Sequence, residues 1–222
     1  MNSIDTVIFD LDGTLLYTLE DLKDSVNFAL DKMHYPLRSL CEVREFVGNG
    51  IYRLIEQSVP AKTTVEKINE TFEIFKSHYI VNCNNKTEPY LNIIDLLKNL
   101  KENGYKLAIV SNKNQDAVQI LSNIYFKDLI EVAIGATETI QKKPAPDTVY
   151  KAIEELGSSC NHSIYVGDSE VDIATAKNAN IPCVSVSWGF RAKEFLIAQG
   201  ASIIIDKPLE LFTMLNELKT GV

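Results

Sequence analysis

Two carboxylates directly follow a short apolar run near the start of the chain. Residues 7–9, Val-Ile-Phe, have the character of a buried strand, and Asp10 and Asp12 come immediately after it. Side chains two positions apart lie on the same side of an extended chain, so these carboxylates repel each other unless a cation lies between them. A single Asp-Gly pair is typical of a turn at the end of a strand. The Asp-x-Asp spacing instead indicates a metal site or a catalytic pair whose two members have different roles.

The elements that position these residues are predicted by hydrophobic patterning. Five further apolar runs predict strands, at 106–112, 131–136, 163–168, 182–188 and 202–206. Amphipathic segments lie between them, and those at 91–104 and 146–157 end in glycine, which is typical of a helix end. This alternation predicts an α/β fold with a doubly wound parallel sheet.

One long segment breaks the alternation. Between residues 18 and 85 the sequence has only helical periodicity, and a Thr18-x-x-Asp21 pattern predicts a capping box at its start. A helical segment of this length exceeds an ordinary connection between a strand and a helix. We therefore predict a small, all-helical domain inserted into the first domain. The predicted boundaries place residues 17–86 in the helical domain and residues 1–16 and 87–222 in the core domain.

Reactive side chains occur at the ends of several predicted strands. Ser111 and Asn112 end the second strand, Lys143 follows the third, and Asp168 ends the fourth. Because the carboxyl ends of parallel strands meet at one edge of a sheet, these groups should converge there with the Asp-x-Asp pair. Each residue alone has an ordinary explanation, as a turn residue, a solvated charge or a helix cap. Their joint placement at one edge predicts a functional site.

Three of the acidic residues have a spacing suited to a metal ion. Asp168 and Asp172 are four residues apart and share one face of a first helical turn, at the same sheet edge as Asp10. Carboxylate oxygens suit Mg²⁺, which binds through a few carboxylates, waters and substrate oxygens. The three histidines of the chain have no metal-binding spacing. The residues therefore predict a Mg²⁺ site and disfavour zinc.

Composition argues against several other classes of protein. The formal net charge is −8, whereas a nucleic-acid-binding surface needs clustered Lys and Arg. Four cysteines without a Cys-x-x-Cys pair predict neither a disulfide framework nor a zinc site. The first ten residues lack the regions of a signal peptide, and no apolar run is long enough to span a membrane. We therefore expect a cytoplasmic protein with no nucleic-acid partner and no membrane partner.

Four motifs occur in a fixed order along the chain. They are Asp-Leu-Asp-Gly-Thr-Leu-Leu at 10–16, Val-Ser-Asn at 110–112, Lys-Lys-Pro-Ala-Pro-Asp at 142–147 and Gly-Asp-Ser-Glu-Val-Asp-Ile at 167–173. In order and spacing they resemble the motifs of the haloacid dehalogenase-like superfamily of phosphohydrolases, and the helical insertion resembles its small cap domain. The resemblance implies a Rossmann-like core and a phosphatase that acts on a small phosphorylated metabolite through an aspartyl-phosphate.

This resemblance also implies a role for each core residue. Asp10 would be the nucleophile, and Asp12 the general acid–base that protonates the leaving oxygen and then activates water. Mg²⁺ would be bound by a side-chain oxygen of Asp10, the backbone carbonyl of Asp12 and the side chain of Asp168, with Asp172 supporting the site. The remaining residues would hold the phosphoryl oxygens or shape the loop around them: Ser111, Asn112, Lys143, Gly13 and Thr14.

One position departs from the superfamily pattern. Many capped relatives have Asp-Ser or Asp-Thr where this chain has Tyr17-Thr18. The role of that acidic residue at the cap hinge is therefore not carried over to Tyr17, and none of the predicted catalytic positions is affected.

The substrate is predicted from the insertion and from one of the last strands. Residues 46–57 resemble the cap segment of phosphoglycolate phosphatases, and residues 184–191 resemble the same subgroup. Gly48 and Asn49 form a turn whose amides could bind an anion, and Arg53 could pair with a carboxylate. An ordinary helix-start turn with a surface arginine is the alternative. Phosphoglycolate is the predicted substrate.

Other functions stay open at this point. Pyrophosphate, sugar phosphates and nucleoside monophosphates are alternative substrates, and a β-phosphoglucomutase-like phosphomutase is an alternative enzyme. A phospho-accepting receiver module gathers similar residues around Mg²⁺, but the Asp-x-Asp pair and the helical insertion argue against it. A monomer and a homodimer are both compatible with the sequence.

Overall fold

The computed structural model describes residues 4–220. Outside the described residues lie 1–3 and 221–222, which belong to the predicted core domain. Residues 1–3 also belong to the first ten residues, on which the prediction about a signal peptide rests. The chain forms two compact units: a core unit, which contains the chain up to Leu16 and from Pro89 onward, and a helical unit, Tyr17–Glu88. Within residues 4–220, none of the helices has the length and apolar character needed to cross a membrane.

The strands of the chain form two sheets. In chain order they are β1 (Thr6–Phe9), β2 (Leu16–Tyr17), β3 (Glu88–Pro89), β4 (Lys106–Asn114), β5 (Val132–Ala136), β6 (Ser163–Gly167), β7 (Cys183–Val186) and β8 (Ile204–Ile205). Six of them form one sheet with the order β5-β4-β1-β6-β7-β8, in which all neighbours are parallel. The other two, β2 and β3, pair where the chain passes between the units. The prediction of an α/β fold with a parallel sheet is confirmed.

The helices follow the strands in the core unit and make up most of the helical unit. In chain order they are α1 (Leu19–Lys32), α2 (Leu40–Phe46), α3 (Ile51–Ser58), α4 (Val65–Asn82), α5 (Ile93–Glu102), α6 (Gln115–Tyr125), α7 (Asp147–Glu155), α8 (Glu170–Asn178), α9 (Lys193–Ala198) and α10 (Pro208–Thr220). The first four belong to the helical unit and the other six to the core unit.

Strand β1 lies at the centre of the large sheet, between β4 and β6. All of its residues are buried, as expected for a central strand of a parallel sheet covered on both faces. Its last residue, Phe9, pairs with Ile109 of β4 and Val166 of β6. These strands therefore reach the same level, and Asp10 begins the carboxyl edge of the sheet one residue beyond this aligned row.

Strand β4 is longer than its apolar residues predict. It continues through Asn114, so the predicted end at residue 112 is wrong by two residues. The chain stays extended through the polar residues Ser111 and Asn112, although the pairing with β5 is irregular between Val110 and Asn114. The polar residues of this motif thus lie inside a strand and not in the loop after it.

A buried carboxylate joins the two ends of the helical unit. The side chain of Thr18 makes no capping hydrogen bond, so the predicted capping box with Asp21 is wrong. Thr18 has αR backbone angles, whereas capping residues are usually extended. The Asp21 carboxylate instead accepts hydrogen bonds from the Lys86 amide at 2.9 Å and from the amide and hydroxyl of Thr87, both at 2.8 Å. The first turn of α1 is therefore tied to the last residues of the unit.

Candidate active site

Three buried carboxylates lie at the carboxyl edge of the core sheet. Asp10 follows β1, Asp168 follows β6, and Asp172 lies in the first turn of α8. Ligand oxygens of the three residues all lie within 4.8 Å of one another. Their exposed fractions are only 7%, 2% and 0%. The structure thus brings together the acidic residues that the sequence places at this edge.

Asp10 and Asp168 each use one carboxylate oxygen in contacts with the protein. Asp10 Oδ1 accepts from the Leu11 amide at 2.7 Å and lies 2.9 Å from Lys143 Nζ. Asp168 Oδ2 accepts from the Phe190 amide at 2.6 Å. Among residues 4–220, the second oxygen of each carboxylate forms no hydrogen bond. These two remaining carboxylate oxygens are hard donors, which suit a divalent cation such as Mg²⁺.

The loop after β1 closes onto Asp168. Gly13 has φ +82°, and a Cβ atom at this position would lie 2.3 Å from Asp168 Oδ2, so only glycine fits. The next residue, Thr14, is fully buried, and its hydroxyl forms no hydrogen bond with the described part of the chain. Its backbone carbonyl accepts from Trp188 Nε1 at 3.0 Å. The predicted loop residues therefore adjoin the carboxylate cluster.

Lys143 is the cation inside this cluster. Its Nζ lies 2.9 Å from Asp10 Oδ1, 2.7 Å from Asp172 Oδ1 and 3.0 Å from the Tyr165 hydroxyl. Burial lowers the pKa of Lys143, but Asp10 and Asp172 outweigh this effect and raise the pKa well above its usual value. The side-chain amide of Asn112 donates to the Lys143 carbonyl at 3.0 Å and so holds the loop that carries it. The two carboxylates therefore favour the charged form of Lys143 beside Asp10.

Asp172 uses both of its carboxylate oxygens within the protein. Oδ1 contacts Lys143 and accepts from the Tyr165 hydroxyl at 3.1 Å. Oδ2 accepts from the amide of Ser169 at 3.0 Å and from its hydroxyl at 2.6 Å. Asp172 therefore fixes Lys143 and the start of α8, which distinguishes it from the other two carboxylates. The sequence gives no signal for Tyr165, whose hydroxyl group lies at the end of a side chain in an apolar strand.

A second buried lysine pairs with Asp12. Lys113 Nζ lies 2.9 Å from Asp12 Oδ1, and the lysine side chain is only 1% exposed. Lys113 lies one residue beyond the Val-Ser-Asn motif at 110–112. Ser111 and Lys113 are two positions apart in a strand and so lie on the same side of it. Ser111 Oγ accepts from the Lys113 amide at 3.2 Å. Asp10 and Asp12 thus have separate cations, Lys143 and Lys113 respectively.

Burial changes the proton affinity of two of the carboxylates. It raises the pKa of Asp10 to about 7, against the opposing effect of Lys143 and with further increases from Asp172 and Asp12. Burial also raises the pKa of Asp168 well above its usual value, with the charges of Asp172 and Asp10 acting in the same direction. The site contains more carboxylates than buried ammonium groups, so a divalent cation would balance its charge.

The predicted binding residues of the insertion belong to the helical unit. Gly48 and Asn49 precede Gly50, which is the N-cap residue of α3. Arg53 lies in the first turn of α3 and forms an ion pair with Glu56 on the same helix. Its side chain is 53% exposed. Arg53 therefore faces solvent and already has an acidic partner.

Similarity to known proteins defines the class to which the chain belongs. The haloacid dehalogenase-like hydrolase family matches residues 7–186, and the chain belongs to this family. The predicted family, its α/β fold and its hydrolase class are confirmed.

Within this family, the chain is similar over most of its length to proteins named phosphoglycolate phosphatase. Phosphoglycolate phosphatase from Aquifex aeolicus is 29% identical over 215 residues, which cover 95% of this chain and 96% of that protein. Phosphoglycolate phosphatase from Colwellia psychrerythraea is 31% identical over 219 residues, which cover 96% of this chain and 97% of that protein. A crystal structure from Lactobacillus delbrueckii subsp. bulgaricus, provisionally named a phosphoglycolate phosphatase, matches with a TM-score of 0.91 and 33% identity over 96% of this chain and 98% of that chain.

Proposed function

We propose that the protein is a Mg²⁺-dependent phosphatase that hydrolyses phosphoglycolate through an aspartyl-phosphate at Asp10. The observation that carries this proposal is the different surroundings of two neighbouring carboxylates. Asp10 contacts Lys143 and belongs to the cluster with Asp168, whereas Asp12 contacts Lys113. Carboxylates in different surroundings can divide a nucleophilic role from an acid–base role.

The donor set supports Mg²⁺ as the cofactor. The side chains of Asp10 and Asp168 and the backbone carbonyl of Asp12 would hold the ion, with Asp172 supporting them. When bound, Mg²⁺ offsets the negative charge of the carboxylates and of the phosphate group. The cluster found among the described residues contains only carboxylates, and hard oxygen donors favour Mg²⁺ over zinc.

In the first step, a carboxylate oxygen of Asp10 attacks phosphorus while the bond between phosphorus and the leaving oxygen breaks. Asp12 gives its proton to that oxygen, which departs as a hydroxyl group of the product. Negative charge builds on the phosphoryl oxygens during this transfer. Three groups would stabilise this negative charge: the Lys143 ammonium group, the Ser111 hydroxyl and the backbone amide of Asn112.

In the second step, water attacks the phosphorus of the aspartyl-phosphate. Asp12, now ionised, accepts a proton from the water as the bond between phosphorus and Asp10 breaks. Inorganic phosphate leaves, and both carboxylates return to their starting forms. Lys113 Nζ lies 2.9 Å from Asp12 Oδ1. Lys113 would therefore orient the Asp12 side chain in the first step and stabilise its carboxylate after the proton has been given up.

The names of the relatives support phosphoglycolate as the substrate. Relatives that match nearly the whole chain carry the name of this activity. The glycolate leaving group also has a carboxylate, which needs a cation to bind it. Arg53 is the residue we propose for this contact, with the amides of Gly48 and Asn49 as further contacts before α3. Pyrophosphate, sugar phosphates and nucleoside monophosphates are the competing substrates.

The proposed function is tested by phosphate release from a panel of these esters, with Mg²⁺ and after chelation. We expect sustained, Mg²⁺-dependent turnover with the highest kcat/KM for phosphoglycolate. A single turnover that leaves a stable phosphoprotein would indicate a receiver module, and phosphate returned to a sugar would indicate a phosphomutase.

Asp10→Asn tests the nucleophile. This change should lower kcat by at least about a thousandfold, because it removes the covalent intermediate. Asp128→Asn makes the same chemical change at an exposed residue of the core unit and should leave kcat unchanged. Activity of Asp10→Asn above about a tenth of the wild-type value would refute the nucleophile assignment.

A further inference from the structure

We propose that the turn after β7, residues 187–191, is a positioning element of the active site, with Trp188 and Gly189 as its main residues. This role presupposes the phosphatase function proposed above, to which the turn contributes no reacting group. The reacting and binding groups of the core unit follow β1, β5 and β6 or lie in β4. Nevertheless, the 187–191 turn contacts both Asp168 and the loop after β1.

The backbone of Phe190 fixes the carboxylate of Asp168. The Phe190 amide donates to Asp168 Oδ2 at 2.6 Å, and both residues are buried. A hydrogen bond from an amide to a carboxylate is short and strong, because the acceptor is charged. With Oδ2 held in this way, Oδ1 is the oxygen that Asp168 offers to a cation.

Trp188 fixes the loop after β1. Its indole N–H donates to the backbone carbonyl of Thr14 at 3.0 Å, and Thr14 is fully buried. An indole can only donate, so this contact sets the direction of the Thr14 carbonyl. The same loop begins with Asp10 and Asp12, so a rotation of the Thr14 peptide would displace the residues that follow these two carboxylates.

Gly189 allows the turn to touch both partners at once. A Cβ atom at this position would lie 2.3 Å from Asp168 Cβ and 2.6 Å from the Gly13 carbonyl oxygen. Gly13 approaches the same side chain, since its own Cβ would lie 2.3 Å from Asp168 Oδ2. Asp168 is therefore packed against two glycine backbones, which leave its carboxylate little freedom to rotate.

Both ends of the 187–191 turn are anchored within the core unit. The Ser187 amide donates to the Ile205 carbonyl at 3.1 Å, and the Ser187 hydroxyl donates to Asp206 Oδ1 at 2.6 Å. At the other end, Arg191 Nε donates to Glu170 Oε2 at 3.0 Å. The turn is thus held by β8 on one side and by the start of α8 on the other, which gives its contacts with the site a rigid support.

Gly189→Ala tests the contact with Asp168, and Gly157→Ala is its matched control. Position 157 also lies in the core unit, and its φ of +57° strains an alanine there, but a Cβ atom meets nothing within 4 Å. Mg²⁺ binding to each folded protein is measured by calorimetry. Gly189→Ala should raise the dissociation constant for Mg²⁺ about tenfold or more, because its methyl group displaces a metal-binding carboxylate. Gly157→Ala should lower the melting temperature and leave the dissociation constant unchanged.

Trp188→Phe tests the contact with Thr14, because it keeps an aromatic ring and removes the indole N–H. We expect kcat for phosphate release to fall about tenfold or more while KM changes little. A lower melting temperature with an unchanged kcat would assign the hydrogen bond to folding alone and would overturn the positioning role of Trp188.

The outcomes separate this proposal from the proposed function. A Mg²⁺ dissociation constant of Gly189→Ala equal to that of the wild type overturns the role of Gly189. Wild-type protein that neither binds Mg²⁺ nor releases phosphate would instead overturn the phosphatase function itself. Wild-type protein that does both, together with two variants indistinguishable from it, would reject only the 187–191 turn as a positioning element.

Discussion

Mg²⁺ binding should become weaker as the pH falls from about 8 to about 6, because the ion must displace protons from buried carboxylates. Burial raises the pKa of Asp10 to about 7 and raises the pKa of Asp168 well above its usual value. Lys143 opposes this increase at Asp10, and Arg191 opposes it at Asp168, but neither cation cancels it. At about pH 6 the metal-free site therefore retains protons that Mg²⁺ has to release.

The size of this effect follows from the pKa of Asp10. A change from 3.8 to about 7 favours the protonated form by roughly 4 kcal/mol. Below about pH 7, displacement of one proton lowers the apparent affinity about tenfold per pH unit, so Asp10 alone accounts for a loss of about tenfold between pH 8 and pH 6. Asp168 adds to this loss. The same shift makes the metal-free protein less stable as the pH rises from about 4 to about 7, because the folded state keeps a proton that the unfolded chain has lost.

Calorimetric titrations with Mg²⁺ at the two pH values, each in two buffers of different ionisation enthalpy, measure both the affinity and the protons released. We expect weaker binding and more released protons at the lower pH. Asp10→Asn should reduce the number of released protons, whereas the exposed control Asp128→Asn should leave it unchanged. Equal affinity at both pH values with no proton release would refute the reasoning, because the carboxylates would then be ionised before Mg²⁺ binds.

Three further substitutions test separate parts of the molecule. Asp12→Asn should still be phosphorylated by p-nitrophenyl phosphate but lose the phosphoryl group slowly, as seen by mass spectrometry; an adduct on Asp10→Asn alone would reverse the two roles. Arg53→Ala should lower kcat/KM for phosphoglycolate by the equivalent of about 1–3 kcal/mol and change kcat/KM for p-nitrophenyl phosphate little. Equal losses for the two substrates would show that Arg53 supports the fold of the helical unit. Asp21→Ala should lower the free energy of unfolding in urea by about 3 kcal/mol. The control Asp24→Ala, at a surface ion pair, should lower it by less than about 1 kcal/mol. Similar losses would contradict a stabilising role of the buried Asp21 hydrogen bonds.

The position of the core site could be predicted because it depends on local patterns. Apolar runs mark the strands, and in a parallel sheet their polar ends meet at one edge. Asp10 and Asp168 follow two adjacent strands, β1 and β6, so their proximity requires only the correct strand order. The spacing between Asp168 and Asp172 likewise depends on a single helical turn.

Contacts between distant parts of the chain could not be predicted in this way. Thr18 and Asp21 match a local capping pattern, yet Asp21 binds the amide of Lys86, 65 positions further along the chain. Lys113 belongs to a polar extension of β4, and its pairing with Asp12 depends on the loop after another strand. In both cases periodicity shows which side chains share a face, but it carries no information about the partner opposite that face.

The pairing of β2 with β3 makes the helical unit exchangeable on an evolutionary timescale. The chain leaves the core unit after Leu16 and re-enters it at Pro89 on two strands that pair with each other. The entropic cost of closing a loop rises only slowly with its length, so the helices between these strands can be shortened, lengthened or replaced at little cost to the core. Recombination at this point would leave the order of the large sheet, and with it the carboxylate cluster, intact. Evolution can therefore alter the helical unit and the core unit at different rates, because a change within the one leaves the strand pairing of the other in place.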